Sequence, residues 1–174
     1  LLSRAYLEGA QLDSVAASQV DLRGSNRQGA IFFRAKLNPA DLRGANLNAA
    51  DLRHSNMTAA RLLSADLSAS QLGGADLTTA DLRGADLTGA DLRAAILEGA
   101  NLSEAKLEST NLANLDLRGA TFVGSFLGSA ILEGTNLRGA DLTRVQWPGA
   151  KLIGADLTGA DLRGVSLSFL NSHD

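Results

Sequence analysis

The most regular feature of this chain is a leucine at every fifth position. Residues 74–95, GADLTTADLRGADLTGADLRAA, show the pattern without a break. Extended in both directions, the same register gives 35 such positions between residues 2 and 172, and 28 of them are Leu. The exceptions are Ala17, Arg27, Phe32, Met57, Phe122, Trp147 and Ser172. A short fixed period of this kind predicts a stacked repeat.

The other four positions of each pentad are also restricted. In the pentad of residues 85–89 we call Ala85 the small position, Asp86 the first polar position, Leu87 the centre, Thr88 the second polar position and Gly89 the corner position. The small position is Ala in 22 of 34 cases, and 16 of the 18 glycines fall at the corner position. The pentad therefore predicts one local structure repeated along the whole chain.

A five-residue period fits an extended segment better than a helix. Leucines spaced by five would drift around a helix and leave no apolar face. In an extended segment the small position and the centre share one side, and the two polar positions share the other. A corner residue at positive φ would then turn the chain after each short strand. Repeated turning predicts a coil whose successive layers pair at about 4.8 Å.

Pentads such as Ala-Asp-Leu-Arg-Gly (80–84) and Ala-Asp-Leu-Thr-Gly (85–89) resemble those of the pentapeptide-repeat proteins, in particular the Leu-centred cyanobacterial members. The resemblance implies an all-β fold, a right-handed quadrilateral β-helix with four pentads per coil and about eight to nine coils. We interpret residues 1–174 as a single solenoid domain. Within it, we expect an irregular segment around residues 13–30 and a C-terminal lid at residues 167–174.

The irregular segment is expected because of Arg27, which occupies a centre position. A guanidinium facing a leucine-lined interior would cost several kcal/mol unless it were paired. Residues 25–29 are therefore expected to bulge outward or to swing the side chain to solvent. A local defect and a functional loop are both open interpretations of this bulge.

The polar positions offer little catalytic or metal-binding chemistry. Asp-Leu-Arg recurs along the chain, and we interpret it as a solubilising outer surface. Successive acids such as Asp81 and Asp86 would lie on different faces and could not converge on one ion. The only histidines are His54 and His173, and no nucleophile–base pair is suggested. We therefore expect no catalytic site, no metal site and no cofactor.

Beyond Leu117 the outward positions become apolar, and such patches often mark contacts. The candidate interaction surface consists of Val123, Phe126, Ile131 and Ile153 at outward positions, together with Trp147, a centre residue too large for a Leu-sized slot unless the coil expands. Tolerated variation is the alternative explanation of these residues. At the end of the chain, Phe169 and Leu170 are the candidate end cap or end-to-end homodimer contact, because an open coil exposes unpaired backbone groups.

These observations favour a non-enzymatic scaffold or protein-interaction module with an unidentified protein partner. The alternative, which comes from the family resemblance, is a DNA-mimicking inhibitor or protector of DNA gyrase or topoisomerase. Such a mimic needs a strongly acidic rod, whereas no face here has a net charge more negative than −2. Gyrase-protecting relatives also tend to carry Phe at the centre, where this chain carries Leu.

Charge and composition restrict partners and location further. No basic stripe exists, so direct nucleic-acid binding is not expected. The chain has no Cys. It shows no signal peptide and no apolar run long enough to span a membrane, so no membrane association is expected. A cytoplasmic location is preferred over the periplasm or the thylakoid lumen.

Overall fold

A computed structural model describes residues 5–166 as a continuous coil. Each pentad contributes a single-residue β-bridge at the first polar position and a turn over the second polar and corner positions. The bridges are parallel and join residues 20 apart, as in Asp66 to Asp86 and Asp86 to Lys106. Twenty residues are four pentads, so the all-β, right-handed, four-sided β-helix is confirmed. No helix occurs in residues 5–166, which make about eight coils.

Backbone hydrogen bonds tie every coil to the coils on both sides. Leu87 N donates to Lys106 O in the next coil at 2.8 Å, and Asp86 N donates to Ala65 O in the previous coil at 2.9 Å. Pentads between Tyr6 and Asp161 follow the same bridge spacing. Shifting any one pentad outward would break bonds to two neighbouring coils.

The corners are closed by a hydrogen bond across each turn. Ala90 N donates to Leu87 O at 2.9 Å, and Gly89 between them has a φ of 66°. The positive φ required at the corner position explains why most glycines occur there. However, 15 non-glycine residues also adopt positive φ at corner positions, for example Ala59 at 55°. Pro39 also occupies a corner position, and the Asn38–Pro39 peptide bond is cis.

The centre and small positions fill the interior. Centre leucines such as Leu47 and Leu87 are 0% exposed, and alanines at the small position pack beside them. This core extends as one cluster from Leu22 to Trp147. At the two ends of the described rod the inward residues, such as Leu12 and Leu157, are only half-buried.

The expectation of an irregular segment around residues 13–30 does not hold. These residues keep the same bridge-and-turn pattern as the rest of the rod. Arg27 points inward with 0% of its surface exposed, so the predicted outward bulge is wrong. The physical reason is the backbone: Arg27 N donates to Asn46 O at 2.8 Å, and Asn26 N donates to Ala5 O at 3.1 Å. A bulge would forfeit these bonds.

Candidate interaction surface

The first polar position is built to cap the turn that follows it. Asp86 Oδ1 accepts the N–H of Thr88 at 3.0 Å, and Asn46 Oδ1 accepts the N–H of Asn48 at 3.0 Å. This two-residue span is the Asx turn, for which Asp and Asn are equally suited. The sequence pattern alone predicts only a solubilising role for these residues. The interchange of Asp and Asn at this position was the signal for a capping role.

Each described Asp-Leu-Arg triplet forms a charge-assisted fork on the outer surface. Arg53 donates from Nε to Asp51 Oδ1 at 2.9 Å and from Nη2 to Asp51 Oδ2 at 2.6 Å. The same fork recurs at Asp21–Arg23, Asp41–Arg43, Asp81–Arg83, Asp91–Arg93, Asp116–Arg118 and Asp161–Arg163. These forks neutralise many of the acids locally.

The forks also lower the pKa of the carboxyl groups. The side-chain hydrogen bond from Arg23 lowers the pKa of Asp21 to about 2. Arg53 acts in the same direction on Asp51, and Arg93 on Asp91. Asp41 contacts the guanidinium of Arg61 in the next coil as well, at 3.5 Å. The acidic side chains are thus held in mixed-charge rows rather than in an acidic stripe.

One face of the rod carries a ladder of uncharged polar side chains. Gln28 Nε2 donates to Asn48 Oδ1 at 3.3 Å, and Asn48 Nδ2 donates to Ser68 Oγ at 2.8 Å. Ser68 Oγ in turn donates to Asp66 Oδ1. The ladder satisfies its own hydrogen bonds, so the N-terminal part of this face offers a polar surface.

A second face carries an aromatic cluster that the sequence analysis did not single out as a site. The guanidinium carbon of Arg34 lies 5.0 Å from the centroid of the Phe33 ring, and that of Arg53 lies 5.7 Å from it. The His54 ring meets Phe33 edge-on at 5.7 Å. Cations over an aromatic face are attracted by its quadrupole.

The five predicted surface residues are not brought into a single patch. The four-pentad coil places Val123, Phe126 and Ile131 on three consecutive faces, and Ile153 on the same face as Ile131. Ile153 is 54% exposed, whereas Trp147 is only 2% exposed and is therefore a core residue. Trp147 fits inside without interrupting the coil.

Two of these residues, Phe126 and Trp147, do meet at one groove. It has a volume of about 290 Å³ and opens on one face near the C-terminal end of the described rod. We call it the C-terminal groove. Its lining consists of Phe126, Val145, Gln146, Trp147, Pro148, Gly164 and Ser166. The predicted cap residues Phe169 and Leu170 lie outside the described residues.

Two contacts hold the groove in shape. Trp147 Nε1 donates to Ser166 O at 3.3 Å. The Phe126 ring lies over Gly128, where an added Cβ would come within 2.7 Å of the ring. Gly128 is one of the two glycines away from the corner position, and its missing side chain makes room for Phe126 to lie flat beside the groove.

The remaining surface of the described rod shows no reactive centre. A second groove of about 210 Å³ is lined by Leu63, Ser64, Arg83, Gly84, Ser103 and Glu104. Its cation, Arg83, is already bonded to Asp81. Among residues 5–166 no three His, Asp or Glu side chains are grouped so that they could hold a metal ion. The same residues contain no helix long and apolar enough to cross a bilayer.

Comparison with known proteins gives a consistent result. The sequence model for the family described as Pentapeptide repeats matches eight copies in residues 1–38, 37–70, 60–99, 100–139 and 130–168. No curated protein matches the chain.

Two solved structures share the fold. One is HetL, a pentapeptide repeat protein involved in heterocyst differentiation regulation from the cyanobacterium Nostoc sp. strain PCC 7120. It has a TM-score of 0.59 and 23% identity, with 92% of this chain and 88% of HetL covered. The other is a trypsin-treated form of QnrB1, a plasmid-mediated fluoroquinolone resistance protein. Its TM-score is 0.62 with 24% identity, covering 95% of this chain and 84% of that one.

Proposed function

Since the chain belongs to the pentapeptide-repeat family, we propose that it is a non-enzymatic interaction module that binds a partner protein through its outer side chains. The observation that carries the proposal is the separation of inward and outward side chains within each pentad. Side chains at the centre and small positions fill the interior, while nearly all charged and amide side chains face outward on a regular rod. Such a rod presents side chains at fixed spacing along its outer surface.

We propose that the contact lies at the C-terminal groove because Phe126, Trp147 and Pro148 line it. Phe126 and Pro148 contribute exposed carbon surface over the buried Val145 and Trp147, whereas the polar ladder occupies the N-terminal part of the same face and the forks lie on other faces. Aromatic residues at a groove are typical anchors of protein interfaces. Val123 lies on the other side of the corner at Gly124 and would extend the contact.

The chain itself supplies a competing occupant for this groove. Residues 167–174 continue from Ser166, which lines the groove, and they include Phe169 and Leu170. These two residues remain our proposed end cap or homodimer contact. A chain ending at Ser166 separates the cases. If a partner protein occupies the groove, the shortened chain keeps binding it; if the tail mediates a homodimer, light scattering shows a halved mass.

The experiment is a pull-down from the native host with three forms of the protein. Phe126→Ser removes an aromatic wall of the groove, and Ile96→Ser is the matched control, because Ile96 is 49% exposed on a different face. We expect a partner retained by the wild type and by Ile96→Ser but lost with Phe126→Ser. Equal loss with both variants, or no selectively retained protein, would contradict the proposed groove contact.

A DNA gyrase supercoiling assay tests the alternative function. A DNA mimic needs closely spaced, uncompensated acids, whereas the described Asp-Leu-Arg acids are bonded to arginines. We therefore expect no change in supercoiling and no protection of gyrase. Inhibition or protection at stoichiometric protein would replace the interaction-module proposal with topoisomerase binding.

A further inference from the structure

Arg27 is the only charged residue in the described range that is fully buried. Its Nε donates to Ser25 Oγ at 2.8 Å. The two terminal nitrogens, Nη1 and Nη2, are buried and have no hydrogen-bond partner. The nearest aromatic ring is that of Phe32, 6.0 Å from the guanidinium carbon. Four of the five N–H donors of the guanidinium are therefore unused.

The described interior provides no counter-charge for this cation. The other buried residues of residues 5–166 are apolar, glycine or hydroxyl-bearing. Ser25 Oγ is already engaged, because it donates to Leu22 O at 2.6 Å. The backbone of Arg27 is also satisfied, with its N bonded to Asn46 O and its O accepting from Ala30 N. Within residues 5–166, Nη1 and Nη2 therefore have no hydrogen-bond partner.

Deprotonation does not remove the buried positive charge of Arg27 at neutral pH. Burial lowers the pKa of the Arg27 guanidinium to about 10, so the group stays cationic at neutral pH. A buried charge without a partner is strongly unfavourable, and proteins resolve it by pairing the charge. A ligand from solution is the remaining source of negative charge.

We propose that Arg27 binds a small monovalent anion, of the class of chloride, bromide or nitrate, between Nη1 and Nη2. The guanidinium fork presents two donors in a fixed plane, which suits a compact anion. The anion would need the side chains around Arg27 to move apart, and the interior is most able to do so opposite it, because Ala17, half a coil away, occupies a centre position where Leu is usual. Leu12 and Ala17 are only half-buried, so the shortest route from solvent runs through this end of the described rod.

Anion binding at Arg27 should stabilise the folded protein in an anion-specific manner. A ligand that binds only the folded state raises stability with its concentration. We expect the melting temperature of the wild type to rise by several degrees and saturate when sodium bromide or chloride replaces sodium gluconate at constant ionic strength. Arg27→Leu, which restores the usual centre residue, should lose this dependence. Arg138→Leu, which removes a surface cation, is the matched control and should keep it.

Bromide diffraction on the wild type gives an answer that does not depend on the variant folding. An anomalous peak within hydrogen-bond distance of Nη1 and Nη2 would locate the anion. A water molecule alone at that position, or the same bromide dependence in Arg27→Leu as in the wild type, would overturn the proposal.

Discussion

Replacing Leu87 tests the inside and outside assignment of the pentad most sharply. Leu87 is 0% exposed at the middle of the rod, and Leu87→Ala would leave a cavity in the leucine column. Buried Leu→Ala changes cost about 2–5 kcal/mol, and the cost rises when the surroundings cannot collapse into the space.

The structure places Leu87→Ala in the upper half of that range. Leu87 N is bonded to Lys106 O at 2.8 Å, and Leu87 O accepts from both Ala90 N and Thr110 Oγ1 at 2.9 Å. Because these bonds fix the backbone on both sides of the cavity, we expect a loss of about 3–5 kcal/mol. Leu87→Asp would bury an unpaired charge and should prevent folding.

Asp86→Asn, one residue away, is the matched control. Asn keeps the Oδ1 acceptor for Thr88 N, as Asn46 does for Asn48, and gives up only the exposed contact with Lys106 at 3.2 Å. We expect a change within about 0.5 kcal/mol. Urea denaturation followed by circular dichroism measures both variants. Similar losses of unfolding free energy for Leu87→Ala and Asp86→Asn would refute the assignment of the two positions.

Further predictions concern the corner positions and the Asp–Arg forks. Ala59 has a φ of 55°, so Ala59→Gly should raise the free energy of unfolding, measured by urea denaturation, by up to about 1 kcal/mol. Gly89→Ala should lower it by about as much through backbone strain alone, because the added Cβ would have no atom within contact distance. Gly74→Ala should lower the free energy of unfolding more than Gly89→Ala does, because the new Cβ would lie 2.6 Å from His54 Nδ1. Combining Gly74→Ala with His54→Ala should remove this additional loss. The Asp–Arg forks should contribute their full stabilisation of the folded state above the unfolded carboxyl pKa of about 3.9. This stabilisation should be lost as the pH falls through the folded pKa of Asp21, about 2. The melting temperature should therefore drop between these two pH values and stay level above them.

The short strands and their turns were predictable because the five-residue period encodes them, whereas the four sides and the right-handedness came from the family resemblance. A residue such as Leu87 repeats at the centre so often that no other arrangement buries the leucines on one side. The turn after it was also predictable, because Gly89 and its counterparts occupy the position that needs positive φ. Pentads without glycine, such as that of Ala59, show that the turn is imposed by its neighbours and not by the corner residue alone.

The errors came from judging single residues apart from the coil. Arg27 was expected outside because a buried charge is costly, but the backbone bonds to neighbouring coils hold its pentad in register. Trp147 was treated as a surface residue because of its size, yet the interior accommodates it with 2% exposure. The separation of Val123, Phe126 and Ile131 onto different faces follows from the four-pentad coil once the faces are numbered.

The most direct test of the interaction-module proposal is photo-crosslinking from a single surface position. A photoreactive residue replaces Gln146, an exposed residue at the C-terminal groove, or Gln71, an exposed control on another face. In the native host, we predict one discrete adduct with a different protein from position 146 and none from position 71. The absence of any intermolecular adduct from position 146, or the same adduct from both positions, would contradict the proposal.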